Sequence, residues 1–273
     1  MKQLSGITLA ALALAAGQAF AQSGKTEVLW LGQSAVRITS PGGKVIVIDP
    51  FLSKNPKTPV SWKNPDTLGR VDLVLVTHAH GDHLGDAPYI VKKNEAPLWA
   101  SQGLAASLAA LGEVPGKLSN RMGQGGSITP FGPGGVRITM THAEHNSELA
   151  WTNPATKKSE IHFGGEPAGF ILQMENGFRI YHMGDTGLFG DMKLIGDYYK
   201  PDLVLIPIGG GQFVMNPVDA AYATREWLKP RYAIPIHYAT NPALVGTPKE
   251  YIDALGSTPT KVITMNPGER VEF

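Results

Sequence analysis

Along most of the chain apolar residues alternate with polar ones or run together in short blocks, and they seldom recur at helical spacing. Segments 27–31, 35–39 and 44–49 read as strands, with Pro41-Gly42-Gly43 as a turn between the last two. Segment 71–76 (VDLVLV) is an apolar run typical of a strand buried on both faces. A helix is expected after His78–His83, and residues 104–111 form another that stops at Gly112. Segments 136–141, 168–174, 178–182 and 203–208 are further strands. Asn216-Pro217 reads as an N-cap followed by proline at the first helical position, opening a helix to about Leu228. Strands at 232–236 and 261–265 follow, with a helix from about Pro248 between them. Strands come first and strand–helix alternation follows in each half, which suits an α/β sandwich of two packed sheets with helices outside. Segments 51–70 and 146–167 follow neither period and are long enough to be functional loops.

Length and composition set limits on this picture. The 273 residues, 42% of them hydrophobic, suffice for one large domain and are too few for two of ordinary size. Residues 1–21 read as an export signal: Lys2 gives the basic start, residues 4–16 an apolar stretch, and Ala19-Phe20-Ala21 a small-x-small cleavage site. The apolar stretch is shorter than the ~20 residues that span a bilayer, so no stable membrane anchor is expected. The expected mature domain is 22–273, periplasmic or secreted. Cysteine is absent, which fits that location without disulfides or a lipidated terminus. Lys2 is the only charged residue of the leader, so the remainder is formally neutral and has no electrostatic footprint for nucleic acid. The expected partner is a small-molecule substrate, and a homo-oligomer is compatible with the sequence.

The densest chemistry lies at His78-Ala79-His80-Gly81-Asp82-His83, immediately after the buried strand. Residues two apart in extended chain point the same way, so His78 and His80 can grip one ion. Gly81 lets the chain turn and re-aims Asp82 and His83 at a neighbouring point. Imidazole and carboxylate together suit Zn²⁺, Mn²⁺ or Fe²⁺.

The run Thr77-His78-Ala79-His80-Gly81-Asp82-His83 resembles the signature of the metallo-β-lactamase superfamily. Leu31-Gly32-Gln33-Ser34-Ala35, Ile48-Asp49-Pro50-Phe51-Leu52, residues 165–170, residues 181–186, residues 192–201 and Pro235-Ile236-His237-Tyr238 are similar to one branch of it. That branch is the metal-dependent hydrolases related to the L-ascorbate-6-phosphate lactonases. The resemblance implies an αββα sandwich with metals at one edge between the sheets. It implies His78, His80 and His145 on one ion, Asp82, His83 and His237 on a second, and Asp185 shared by both. His142 is a nearby rival to His145. Asp49 resembles the family's orienting aspartate. Gln33 stands where relatives often carry His, which implies a lost contact at the site.

Two divalent ions, Zn²⁺ first and Mn²⁺ or Fe²⁺ as alternatives, imply hydrolysis by a metal-bound hydroxide, with Asp82, His83 and Asp185 as the catalytic residues. The branch points to an ester or lactone of a small metabolite. A phosphodiesterase of phospholipase-D type is the alternative; a cluster of Lys or Arg facing the metals would favour it, with Lys54, Lys57 and Arg121 as the candidates. A non-catalytic metal-binding protein is a third reading. Absence of Cys excludes the β-lactamases that need a thiolate ligand. His182 is expected to be packed within its strand, and His162 to lie in the second loop.

Overall fold

A computed structural model describes residues 24–273; the expected export signal lies outside the described residues. The strands are β1 (Glu27–Gly32), β2 (Ala35–Thr39), β3 (Val45–Ile48), β4 (Leu73–Leu75), β5 (Leu98–Ser101), β6 (Ser119–Met122), β7 (Ser127–Ile128), β8 (Arg137–His142), β9 (Glu148–Thr152), β10 (Ser159–Phe163), β11 (Ala168–Gln173), β12 (Arg179–His182), β13 (Leu203–Pro207), β14 (Tyr232–Ile236), β15 (Lys261–Val262) and β16 (Arg270–Glu272). They form two seven-stranded mixed sheets, β16-β1-β2-β3-β4-β5-β6 and β15-β14-β13-β12-β11-β8-β7, with β9 and β10 as a separate hairpin.

Period-two alternation explains the layers. Val28 and Trp30 of β1, Ile46 and Ile48 of β3, and Leu73 and Leu75 of β4 face inward. There they meet Ile138 and Met140 of β8, Phe170 and Leu172 of β11, and Leu203 and Leu205 of β13 in one core between the sheets. The alternate residues, Leu29, Val47, Val74 and Leu98, face outward and are covered by helices α2 (Ala87–Asn94) and α3 (Gln102–Ala110), which follow the single turn α1 (Gly81–Leu84). On the other side Ile171, Tyr181, Val204 and Ile206 are covered by α4 (Asp191–Leu194), α5 (Pro217–Tyr222) and α6 (Pro248–Leu255). Wider π turns, Ile195–Tyr199 and Ala223–Leu228, extend α4 and α5. The predicted cap holds: the Asn216 side chain accepts from the backbone N–H groups of Val218 and Asp219 at 2.9 and 3.0 Å.

Two expectations need correction. Segment 261–265 pairs only at Lys261–Val262, because the bond from Ile263 N to Ala233 O at 2.9 Å is the last before Asn266-Pro267-Gly268 turns the chain toward β16. Segment 146–167 is a regular hairpin, β9 on β10 with Trp151 opposite Glu160 and Leu149 opposite His162. Only Leu149 of this pair is buried, while Ile161 and Phe163 are about two-thirds exposed at 67% and 66%. A ribbon with so little core contact leaves a weak apolar alternation, hence its loop-like appearance in sequence.

Candidate metal centre

The candidate residues converge because parallel strands end at one edge. In one sheet β3 leads into Asp49 and β4 into Thr77 and His78; in the other β12 leads through Met183 and Gly184 to Asp185, and β14 leads directly into His237. Carboxyl ends of parallel strands are where α/β sheets present ligand sites. Gln33, Asp49 and His237 all have left-handed backbone conformations, with φ of 53, 48 and 53°. Such strain, of order 1–3 kcal/mol each, persists only where the surroundings over-determine it. Gly85 (φ 39°) ends α1 against the 50–51 backbone, where a Cβ would stand 2.6 Å from Pro50 O.

The structure brings together all seven residues expected to hold metal, in two groups with Asp185 in the second. One group is His78, His80 and His145; the other is Asp82, His83, Asp185 and His237; within each, one donor atom per residue lies within 4.8 Å of the others. In the first group His78 Nε2 stands 3.0 Å from His80 Nδ1, and His80 turns its other nitrogen toward Glu148 Oε2 at 3.2 Å. In the second, His83 Nε2 stands 3.2 Å from Asp185 Oδ1, and His237 Nε2 stands 2.9 Å from Asp185 Oδ2 and 3.4 Å from Asp82 Oδ2. Asp185 lies between the groups, its Oδ2 also 3.7 Å from His145 Nε2.

Asp49 orients this cluster from behind. Its fully buried carboxylate accepts from Thr77 N at 2.8 Å and Thr77 Oγ1 at 2.7 Å, and pairs with His83 Nδ1 at 2.8 Å. The contact places the imidazole proton on Nδ1 and leaves Nε2 free to face Asp185. Ser147 braces the motif from the other side, accepting from Ala79 N at 3.1 Å and donating to Gly164 O at 2.8 Å.

Burial disfavours charge on Asp185, yet His237 and His83 beside it hold its carboxyl well below the usual carboxylate range. Burial likewise opposes ionisation of Asp82, and His83 together with the bond to His237 outweighs it. Burial alone would lower the His83 imidazole; Asp185, Asp82 and Asp49 reverse this and raise it well above the ordinary value. His237 is raised in the same way, burial being outweighed chiefly by Asp185. His78 and His145 are lowered, by burial first and then, for His78, by His83.

These residues fit a pair of divalent cations. His83 Nε2 and Asp185 Oδ1 are both buried, 3.2 Å apart, and neither has a well-directed hydrogen-bond partner among the described residues. They face a common space, as ligands of one ion do. Imidazoles and carboxylates without thiolate make a donor set suited to Zn²⁺, Mn²⁺ or Fe²⁺.

The remaining histidines stay apart from this centre. His142 is partly exposed, 3.4 Å from Glu144 and edge-on to Phe189, so His145 rather than His142 belongs to the cluster. His182 is buried and contacts the Ser34 carbonyl through Nε2 at 2.8 Å, directed away from Asp185 as alternation predicts. His162 sits on the hairpin against Trp151 and Glu160. Gln33 reverses an expectation. Far from marking a lost contact, its Nε2 lies 2.7 Å from Asp82 Oδ2 and 2.6 Å from His237 Nε2.

A cavity of about 330 Å³ opens over the donors, with Phe51, Pro56, Phe213 and Leu244 as apolar walls and Thr240 and Asn241 as polar groups. The hairpin contributes nothing to its lining, and segment 51–70 contributes Phe51 and Pro56. Sequence reasoning missed Phe213, Thr240, Asn241 and Leu244; the run Gly209-Gly210-Gly211 and the pair Asn241-Pro242 near strand ends were the available signals. Lys54, Lys57 and Arg121 do not line this cavity.

Two helix-covered mixed sheets with a histidine–aspartate centre at their edge define a metal-dependent hydrolase fold. Residues 44–238 match the β-lactamase superfamily domain, and the chain belongs to that superfamily as a metal-dependent hydrolase. It is 59% identical over 251 residues to a UPF0173 metal-dependent hydrolase of Cupriavidus metallidurans, covering 92% of this chain and 86% of the relative. A UPF0173 metal-dependent hydrolase of a Polaromonas species is 54% identical over 276 residues, with both chains fully covered. Among solved structures, Igni18, a metallo hydrolase from the hyperthermophilic archaeon Ignicoccus hospitalis, superposes with a TM-score of 0.74 at 31% identity, covering 91% of this chain and 98% of that one.

Proposed function

We propose that this chain is an exported hydrolase with a two-ion centre, cleaving an ester or lactone of a small, uncharged metabolite. The cavity carries the reading: a space of about 330 Å³ lined by five of the seven candidate ligands and walled by Phe51, Pro56, Phe213 and Leu244, with no lysine or arginine among the described residues of its lining. That volume lies at the small end of the roughly 300–1,000 Å³ usual for ligand pockets. A phosphodiester's charge would be met there by the two ions alone, without a lysine or arginine to share it. The apolar walls favour the neutral ester or lactone.

His78, His80 and His145 would hold one ion, Asp82, His83 and His237 the other, and Asp185 both. When bound, the ions supply Lewis acidity and make water nucleophilic near neutral pH. The chain's own residues then divide the remaining work. Asp49 holds His83 with Nε2 forward. Asp82, its side chain 37% exposed at the cavity, keeps an anionic carboxylate there that can accept a hydrogen bond from the attacking water and orient it. Phe51, Pro56, Phe213 and Leu244 exclude water from around the scissile bond, and Thr240 and Asn241 offer hydrogen bonds that orient the polar end of the substrate.

The test is a screen of protein lacking residues 1–21, reconstituted separately with Zn²⁺ and Mn²⁺, against matched lactones, carboxylic esters and phosphodiesters. Neutral esters or lactones should be turned over with the highest kcat/KM. Preferential cleavage of phosphodiesters would refute the substrate class. Export is tested by fusing residues 1–21 to a reporter active only outside the cytoplasm; no reporter signal would refute it.

A further inference from the structure

Gln33 reaches the second cluster from the tight turn between β1 and β2. The residue is 2% exposed, and its amide nitrogen lies 2.7 Å from Asp82 Oδ2 and 2.6 Å from His237 Nε2. Its amide oxygen, Oε1, is buried without a hydrogen-bond partner among the described residues. The position is fixed from behind. Gln33 O accepts from the Trp30 indole N–H at 3.0 Å and from His237 N at 3.1 Å, which pins the left-handed backbone. A strained residue, held twice by its carbonyl, thus drives a neutral amide into a group of anions and imidazoles.

The orientation shown suits the cluster only while no ion is there. The amide nitrogen donates to Asp82 Oδ2 and also faces His237 Nε2, the atom an ion would engage. Once it is engaged, the N–H faces an atom with nothing left to accept it, and Oε1 still lacks a partner. Rotating the terminal amide by half a turn gives up the bond to Asp82 Oδ2 but turns Oε1 toward the space that Asp82 and His237 share. The nitrogen and oxygen of an amide are nearly isosteric, and which one points forward is decided by the surrounding network. Two ligands about 2.1 Å from one ion stand roughly 3.0–3.4 Å apart at octahedral or tetrahedral angles. His237 Nε2 stands 2.9 and 3.4 Å from the two carboxylates, while the Gln33 amide end stands at hydrogen-bond distance, 2.6 Å from His237 Nε2 and 2.7 Å from Asp82 Oδ2, and joins the set by moving out a few tenths of an ångström.

We propose that Gln33 is a further ligand of the second ion, coordinating through Oε1. This rests on the two-ion reading above. It adds a neutral oxygen to two carboxylates and two imidazoles, making that ion's surroundings richer in oxygen than those of the three-histidine site. Oxygen donors favour Mn²⁺ relative to Zn²⁺ more than imidazole does. Gln33 therefore shifts the second site's preference toward Mn²⁺.

The experiment needs no substrate. Metal-free wild-type protein, Gln33→Leu and Gln33→Glu are titrated with Mn²⁺ and with Zn²⁺ against a competing chelator, and the Co²⁺-loaded forms are compared by visible absorption. Gln33→Leu should weaken Mn²⁺ at the second site by tenfold or more and Zn²⁺ by clearly less, with a changed Co²⁺ spectrum. Gln33→Glu, which keeps an oxygen at that position, should retain Mn²⁺ affinity at or above the wild-type value. If the leucine variant does not fold, Gln33→Asn, too short to reach, should lower the Mn²⁺-to-Zn²⁺ affinity ratio in the same way. Affinities within twofold of wild type, or equal weakening for both metals, would overturn the assignment; equal weakening would mean that the amide merely positions Asp82 and His237. Fewer than two ions in the wild-type arm would instead refute the two-ion reading, and the proposal with it.

Discussion

Replacing Asp49 by Asn tests how the second cluster is built. The side chains have the same shape, so the change is electronic. Asp49 is fully buried and holds Thr77 N, Thr77 Oγ1 and His83 Nδ1 at 2.8, 2.7 and 2.8 Å. Asn can keep the bond to Thr77 N through Oδ1, but its other terminus is an NH₂ group that now faces the hydroxyl and the imidazole. To avoid two opposed donors, His83 must give up its Nδ1 proton, and the neutral ring then carries its proton on Nε2, the atom aimed at Asp185. A protonated nitrogen cannot ligate. Hydrogen bonds to a charged group contribute roughly 1.5–3 kcal/mol each, so loss or weakening of two should cost about 2–4 kcal/mol of stability. Removing a partner that orients a metal ligand typically costs 10–100-fold in affinity, about 1.4–2.8 kcal/mol. The predicted result is an Asn variant that folds with a lowered denaturation midpoint. Its second site should be weakened by that factor, while the His78, His80 and His145 site stays within about threefold. Chelator-competition titrations and urea unfolding of the metal-free protein measure both. Unchanged affinity at both sites in a folded variant would show that Asp49 does not set the His83 tautomer.

Other predictions follow from the same geometry. His145→Ala should lose one ion and nearly all turnover, whereas His142→Ala, which removes only the contacts to Glu144 and Phe189, should retain both by elemental analysis and assay. Shortening the exposed turn 153–158 of the hairpin should leave the ratio of kcat/KM values across substrates within twofold. Leu244→Ala, which enlarges the cavity, should shift that ratio toward bulkier substrates by tenfold or more, about 1.4 kcal/mol of differential binding. Metal binding should be pH-dependent. In the metal-free protein burial disfavours charge on His83 and His237, but the neighbouring carboxylates outweigh it and raise both imidazoles. An ion must displace those protons, so uptake near neutral pH should release protons into weak buffer, and affinity should fall as pH decreases; pH-independent affinity between 5 and 8 would contradict this.

Much of this architecture was legible in the chain because alternation and motif pointed the same way. Val28 and Trp30 against Leu29 and Leu31 record a strand with core on both faces, and both faces are covered. Of the seven candidate ligands, His78, His80, Asp82 and His83 were legible as one motif after a buried strand, whereas His145, Asp185 and His237 came from the family resemblance. The hairpin was not, since Ile161 and Phe163 stand in solvent and offer no buried face to betray the period. Nor were Phe213 and Leu244, which reach the cavity from loops after β13 and β14, where no spacing rule ties a side chain to a pocket. Gln33 shows a different gap. Its polarity was visible, but its effect depends on a backbone turn held by Trp30 and His237, and His237 lies 204 residues away in sequence.

The central claim is a two-ion centre, and metal stoichiometry addresses it most directly. Protein purified without chelator, then saturated with Zn²⁺ or Mn²⁺ and freed of excess, should carry two ions per chain by elemental analysis. His80→Ala and His237→Ala should each retain one. A saturated wild-type protein holding a single ion, or none, would contradict the account.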